Sequence, residues 1–243
     1  MIAKTKIALI IPCYNEQESI GKLLAHINEF SKTLPHFAIT PIVVNDCSTD
    51  HTYLEAAKYS CVILDLPVNL GIGGAVQTGY LYALKNNFDI AIQIDGDGQH
   101  PISAIPSLVD PIINDECDIS IGSRFITKEG FQSTAMRRVG IQFFKWLNAL
   151  LVGVTVYDST SGLRAVNRKV LEVLSKFYPD DFPEPVAVSI YAHFKFRIKE
   201  IPVVMLERQG GTSSITAAKS VYYMIKVSMS IFFVLLKLRK WKT

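Results

Sequence analysis

Through the first 125 residues, short apolar runs alternate with stretches whose apolar positions return every three or four residues. The runs at 6–11, 41–44, 62–64, 90–94 and 119–121 predict strands. Residues 18–30, with Ile20, Leu23, Leu24 and Ile27 at helical spacing, predict a helix. A glycine-rich turn at 69–74 opens a second helix running to about Leu84. A strand–helix–strand rhythm of this kind predicts an α/β fold, a mostly parallel sheet with helices on both faces. No internal repeat and no low-complexity linker interrupts it, so the expectation is one domain with a C-terminal extension.

Polar residues cluster where the predicted strands stop. Tyr14-Asn15-Glu16 follows the first, Asp46 to Asp50 the second, and Asp95-Gly96-Asp97-Gly98-Gln99-His100 the fourth. One such cluster is an ordinary Asx turn. Three on the same edge of one sheet imply a shared cleft, because open α/β sheets place their ligands outside the carboxyl ends of the strands. Asp95, Asp97 and Gln99 present only hard oxygen donors, the set that suits Mg²⁺ or Mn²⁺ carrying a diphosphate.

The pattern changes near the C-terminus. Residues 219–240 have helical spacing and no breaker, with Lys219, Lys226, Ser230 and Lys237 on one narrow polar stripe in an otherwise apolar surface. The uninterrupted apolar run, 231–236, is far below the ~20 residues a membrane span needs. The expectation is an amphipathic interfacial helix whose Lys237, Arg239, Lys240 and Lys242 attract anionic headgroups. A second wide apolar face lies at 141–152, through Phe143, Phe144, Trp146, Leu147, Leu150 and Leu151. Contact with the core, another subunit or a small membrane protein is the alternative use of both.

Charge agrees with this placement. The net charge is +3, yet beyond residue 200 seven basic residues face Glu207 alone, so the excess is local. Nucleic acid would call for a broader basic face. An apolar content of 49% with 19% charge excludes a disordered chain. Cys13, Cys47, Cys61 and Cys117 form no CxxC pair and read as reduced thiols, mostly core filler, in a cytosolic protein. Lys4 and Lys6 precede only 7–11 before Pro12, too short for a secretory apolar segment.

Taken together, the polar clusters resemble the motifs of the family 2 glycosyltransferases, in the branch that acts on dolichyl and polyprenyl phosphates. Pro12-Cys13-Tyr14-Asn15-Glu16 resembles PxYNE, Asn45 to Asp50 resembles DDGSTD, and Asn69 to Ala75 resembles NxGxGxA. Asp95 to Pro101 resembles DxDxQHxP, Gly122-Ser123-Arg124-Phe125 resembles GSRF, and Asp158 to Ala165 resembles DxTSGFRA. Glu200-Ile201-Pro202-Val203 and Glu207 to Ser214 resemble the closing EVPV and ERxGGxSS. The order is the family's, over about residues 6–216. Two positions depart: Asn45 and Cys47 stand where the pattern has Asp and Gly. Cys47 is expected to take an ordinary backbone conformation there.

The resemblance implies the GT-A fold over residues 1–216, followed by the membrane-associating helix 217–243. It implies a nucleoside diphosphate sugar, UDP- or GDP-linked, bound by Pro12, Tyr14, Glu16, Asp46, Gly73, Gly74 and Asp95, with Gly71 shaping the same turn. Asp95, Asp97 and Gln99 would hold Mg²⁺ or Mn²⁺. Asp97, Arg124 and Arg164 would be catalytic, and Arg124, Arg137 and Arg138 would face the acceptor phosphate. The implied reaction is inverting, metal-dependent transfer of the sugar to polyprenyl phosphate at the cytoplasmic face of the membrane. A phosphate oxygen is already anionic and needs no general base. A hydroxyl acceptor, on a polysaccharide or lipid-linked glycan, would need one, and Asp158 and Glu184 are the candidates. His100 reads as a supporting residue rather than a base. A reading of another class is a nucleotide-sugar-binding subunit without turnover.

Overall fold

The computed structural model describes residues 4–126, 135–206 and 217–240. Seven strands form one sheet in the order β3-β2-β1-β4-β6-β5-β7. They are β1 (Thr5–Cys13), β2 (Phe37–Asn45), β3 (Val62–Asp65), β4 (Ile90–Gln93), β5 (Ile119–Ser123), β6 (Arg164–Asn167) and β7 (Ile198–Pro202). All pair in parallel except β6, which runs antiparallel to both β4 and β5. Sequence reading placed the first five. It missed β6 and β7 because Arg164-Ala-Val-Asn and Ile-Lys-Glu-Ile-Pro carry too few apolar residues to stand out. Strand β2 also begins at Phe37, well before residue 41. Pro41 is tolerated there because the β3 ladder starts only at Ile42, leaving β2 with one neighbour at that level.

Alternation along β1 explains the layering. Ile7, Leu9 and Ile11 point into one core with Ile20, Leu24 and Ile27 of α1 (Ile20–Lys32). Ala8 and Ile10 point into the other, with Val76, Tyr80 and Ala83 of α3 (Gly71–Lys85). The remaining helices are α2 (Thr52–Ala56), α4 (Ile105–Ile113), α5 (Ala135–Val152), α6 (Arg168–Leu174), α7 (Pro183–His193) and α8 (Ala217–Lys240). A third, small core of Phe144, Val186, Val227 and Ile231 fastens α5, α7 and α8 together.

The antiparallel insertion of β6 matters for the site. Because Gln93 pairs with Arg164 and Ile121 pairs with Arg164 from the other side, three segments meet at one edge. The end of β4, the end of β5 and the start of β6 therefore join the ends of β1 and β2 there. Among the described residues no helix is long and apolar enough to cross a membrane. Helix α8 exposes Ile225, Met229, Phe232, Phe233 and Leu236, a single face at helical spacing. The adjacent α5 exposes Trp146, Leu150 and Leu151.

Two lysines of the polar stripe of α8 also contact the rest of the fold. Lys226 pairs with Asp181 at 2.7 Å, and the Lys237 ammonium lies 4.5 Å from the centre of the Phe177 ring. Two of the stripe's lysines thus lean on the body of the protein. Lys242 lies outside the described residues, as do the side chains of Lys219 and Lys240.

Candidate active site

A cleft of about 320 Å³ opens at the shared edge, lined by Pro12, Cys13, Tyr14, Glu16, Asp46, Ile72, Ala75, Asp95, Gly96, Asp97, Thr160, Gly162 and Glu184. Its wall on the β1–β2 side is two interlocked turns. After β1 the chain turns through Asn15, in the left-handed region at φ 58°, which asparagine tolerates. The Asn15 amide donates to Ser48 Oγ (3.0 Å), and Asn15 Oδ1 accepts from the Thr49 amide (2.8 Å). The Glu16 amide donates to Thr52 Oγ1 (2.7 Å). Tyr14 is exposed at the mouth, not packed in the core. Asp46 is buried, its Oδ1 accepting from the Leu70 amide at 2.7 Å, which ties the second turn to the glycine turn before α3.

The two departures from the family pattern have local explanations. Asn45 Nδ2 donates to Asp65 Oδ1 at 2.6 Å. An aspartate there would set two carboxylates against each other. Asn45 also lines no part of the cleft. Cys47 has φ 58°, so the expected ordinary conformation is wrong. The turn keeps the left-handed geometry glycine would favour, and Cys47 bears the strain.

The glycine turn also differs from expectation. Ile72 and Ala75, not Gly73 and Gly74, line the cleft. A side chain at Gly73 would lie 2.1 Å from the Pro179 carbonyl oxygen. Its amide donates to the Asp180 carbonyl at 3.2 Å. Gly73 is therefore needed for the close approach of the 179–180 backbone, and Gly74 sits against Leu70.

After β4, Asp95 and Asp97 both reach the cleft. The Asp95 amide donates to His100 Nδ1 (2.9 Å), and His100 Nε2 lies 3.6 Å from Asp95 Oδ2. His100, itself buried, supports Asp95, as its sequence context implied. Asp97 Oδ1 accepts from the Gln99 amide at 3.0 Å. Gln99 lines an adjoining small cavity with Asp95, His100, Arg124 and Thr160. Among the described residues no three His, Cys, Asp or Glu side chains are placed to hold a metal alone. Two carboxylates open to a cleft fit a hard divalent ion whose remaining ligands are water and diphosphate oxygens.

The arginines are already engaged. Arg124 grips Asp158 through Nε (2.7 Å) and Nη2 (2.6 Å), and its amide bonds the same carboxylate at 3.0 Å. Nη2 also reaches Thr160 Oγ1 at 3.1 Å. The loop carrying Asp158 is held by Glu200 of β7, which accepts from the Tyr157 and Asp158 amides at 2.7 and 2.8 Å. Arg164 is 0% exposed and lines neither cavity. It donates to the Ser161 and Ser159 carbonyls (2.8 and 2.7 Å) and to the Tyr191 hydroxyl (3.3 Å). It braces the 159–161 loop from beneath. That loop touches the site through Gly162, where a side chain would meet Asp95 Oδ1 at 2.8 Å. Arg137 and Arg138 lie in the first turn of α5 with side chains outside the described residues, and so does the 207–214 motif.

Thr160, Gly162 and Ile72 are cleft residues that sequence reasoning did not single out. All three lie inside the motifs, which was the available signal. Glu184, considered only as a base, also lines the cleft. Burial pushes its carboxyl above the ordinary value, while the Arg164 charge pulls the other way.

Fold and cleft together define a GT-A glycosyltransferase scaffold, with the cleft at the ends of β1, β2 and β4. The chain belongs to glycosyl transferase family 2, whose profile matches residues 8–175. It is 30% identical to the UDP-N-acetylglucosamine–dolichyl-phosphate N-acetylglucosaminyltransferase of Methanococcus voltae, covering 94% of this chain and 98% of that one. It is 25% identical to the polyprenol monophosphomannose synthase of Mycolicibacterium smegmatis, covering 90% and 84%. Among solved structures, glucosyl-3-phosphoglycerate synthase from Mycobacterium tuberculosis, in complex with Mn²⁺, UDP-glucose and phosphoglyceric acid, superposes with a TM-score of 0.70. It is 18% identical and covers 98% of this chain and 81% of that one. That likeness concerns the fold.

Proposed function

We propose that this enzyme transfers a sugar from a UDP- or GDP-sugar to polyprenyl phosphate, by one inverting displacement, at the cytoplasmic face of a membrane. The observation that carries the acceptor is the state of Asp158. A hydroxyl acceptor needs a free carboxylate base, and of the two candidates Asp158 is buried and bound twice by Arg124, which leaves Glu184 alone for that role. A phosphate oxygen needs none. It attacks the anomeric carbon, the bond from that carbon to the diphosphate oxygen breaks, and the nucleoside diphosphate leaves with the bonding pair. The relatives named above as acting on dolichyl phosphate or as making polyprenol monophosphomannose support the same acceptor.

Asp95 and Asp97 would hold Mg²⁺ or Mn²⁺, with Gln99 beside them, and the ion would neutralise charge on the departing diphosphate. Asp46 and Tyr14 would hold the nucleoside between the interlocked turns. Glu16 would line that pocket, and Pro12 would form its floor. Gly162 lets the 159–162 loop close against Asp95. Residues 1–216 act as the catalytic unit. Residues 217–243 bring it to the lipid surface through the apolar face of α8, with α5 adding Trp146 and Leu150. Arg137 and Arg138, at the start of α5, are assigned to the acceptor phosphate.

A hydroxyl acceptor remains the second reading, because Glu184 lines the cleft and could serve as its base. Purified enzyme with Mn²⁺ or Mg²⁺, undecaprenyl phosphate and a panel of UDP- and GDP-sugars tests both. Sugar label in the extracted lipid is the expected result. Donor turnover only with an added glycan would transfer the proposal to the second reading. Donor binding without any turnover would make the chain a non-catalytic subunit.

A further inference from the structure

One carboxylate in the cleft is accounted for by neither nucleotide nor metal. We infer that Glu184 reads the hydroxyls of the sugar being transferred, a specificity-determining residue of the donor site; this rests on the cleft being a nucleotide-sugar site. Sheet order supplies the geometry. Across the edge run the ends of β2, β1 and β4 and the start of β6, carrying in turn Asp46, Tyr14, the Asp95–Asp97 pair and Gly162. A nucleoside held at the first two, with its diphosphate at the third, carries its sugar toward the fourth. Glu184 lines that end, bonded to the last residue of β4: Gln93 Nε2 donates to Glu184 Oε1 at 3.3 Å.

The chemistry selects the ligand group. A carboxylate only accepts hydrogen bonds, and it repels both the diphosphate and an acceptor phosphate. A ring of sugar hydroxyls is the donor-rich part of such a substrate. Burial makes its charge costly, and Arg164 and the Gln93 amide offset that cost only in part, which matches the upward push on its carboxyl.

The side chain is also held for the task. The Tyr178 hydroxyl donates to Gln93 Oε1 at 3.3 Å, orienting the amide that orients Glu184. Pro183 and Pro185 flank it in the first turn of α7, where missing amide hydrogens cost nothing. Phe182, just before, is forced into the left-handed region at φ 47°, its ring edge-on to Tyr223 of α8 at 4.6 Å. Strain of this kind persists where the surroundings over-determine a conformation, and it gathers at functional sites.

The test is binding to the full chain with Mn²⁺, by calorimetry. UDP and GDP are compared with UDP-N-acetylglucosamine, UDP-glucose and GDP-mannose, in wild type, Glu184→Gln and Glu184→Ala. We expect the ratio of Kd for the preferred nucleotide sugar to Kd for its nucleoside diphosphate to rise about 10- to 100-fold in Glu184→Ala and less in Glu184→Gln. Binding of the nucleoside diphosphate itself should stay unchanged. An unchanged ratio, or equal weakening of both ligands with a lowered Tm, overturns the inference and leaves Glu184 structural. An unchanged ratio with lost turnover overturns it too and makes Glu184 the base for a hydroxyl acceptor. If wild type binds no nucleotide sugar, the functional reading itself falls, and this inference with it.

Discussion

The two halves of the sheet edge treat charge in opposite ways. On the β1–β2–β4 side the carboxylates of Asp95 and Asp97 are turned to an open cleft, and the bonds that shape it come mostly from backbone amides and short hydroxyl side chains. On the β5–β6–β7 side the chain buries its charges against each other or against carbonyls, as in Arg124 with Asp158 and Arg164 with Ser159 and Ser161. Carrying the residue types of a motif therefore does not place every one of them in the main cleft. Half of this edge prepares a surface, and the other half clamps the loop that closes against it.

Substitutions should separate the two halves by readout. Asp97→Ala, on the open side, should reduce transfer by about 10³-fold or more, because an ion held by Asp95 alone loses the geometry for its several kcal/mol of charge stabilisation. Its Tm should stay within about 2 °C of wild type. Retained activity would remove the metal role from Asp97. Asp158→Ala, on the clamped side, should instead cost about 3–5 kcal/mol of stability, since Arg124 is left as a buried charge without its partner. Thermal unfolding should show a drop of about 10 °C. A variant that melts like wild type yet is dead would move Asp158 to the open side and revive it as a base.

Sequence pattern revealed the open half well and the clamped half poorly, for a physical reason. Strands β1, β2 and β4 are buried on both faces, so their apolar runs are nearly continuous and their polar ends abrupt. Strand β6 is short, begins with a buried arginine and ends with an asparagine that caps α6 by accepting from the Val170 amide. Nothing in its hydrophobicity marks it. The direction of β6, which brings Arg164 under the loop instead of into the cleft, depends on pairing with β4 and β5. Hydrophobic pattern carries no record of such pairing. The same limit hid the use of Gly73, whose neighbour is a backbone more than a hundred residues away in the chain.

The exposed apolar face of α8 extends the comparison beyond the sheet. If α8 meets lipid through its apolar face while Lys226 and Lys237 lean inward, binding should depend more on that face than on salt. Phe232→Glu with Phe233→Glu should weaken sedimentation with vesicles containing anionic lipid by about 10²- to 10⁴-fold, from the burial free energy of two aromatic side chains. The Tm should not fall, because both rings are exposed. Binding that vanishes in high salt but survives these substitutions would restore the basic stripe as the lipid contact.

The smallest effect belongs to the open half, at Cys47. A left-handed conformation costs a residue with a Cβ about 1–2 kcal/mol, and glycine nothing. Glycine gives back part of that gain through its greater freedom in the unfolded chain. Cys47→Gly should therefore stabilise by about 0.5 kcal/mol, a rise of 1–2 °C in Tm at roughly this chain length. The Cys47 Sγ contact with the Pro67 carbonyl, at 3.8 Å, is too weak to reverse the sign. Cys47→Val should move the other way by about 1–2 kcal/mol, as a β-branched side chain fits this region worst. Donor affinity should hold in both, because Asp46 is fixed by the Leu70 amide and not by its neighbour's side chain. Opposite shifts would show that the interlocked turns impose the conformation on whatever residue stands there. Equal, negligible shifts would show that the turn relaxes around its occupant, and the open half would then be held less firmly than the clamped one.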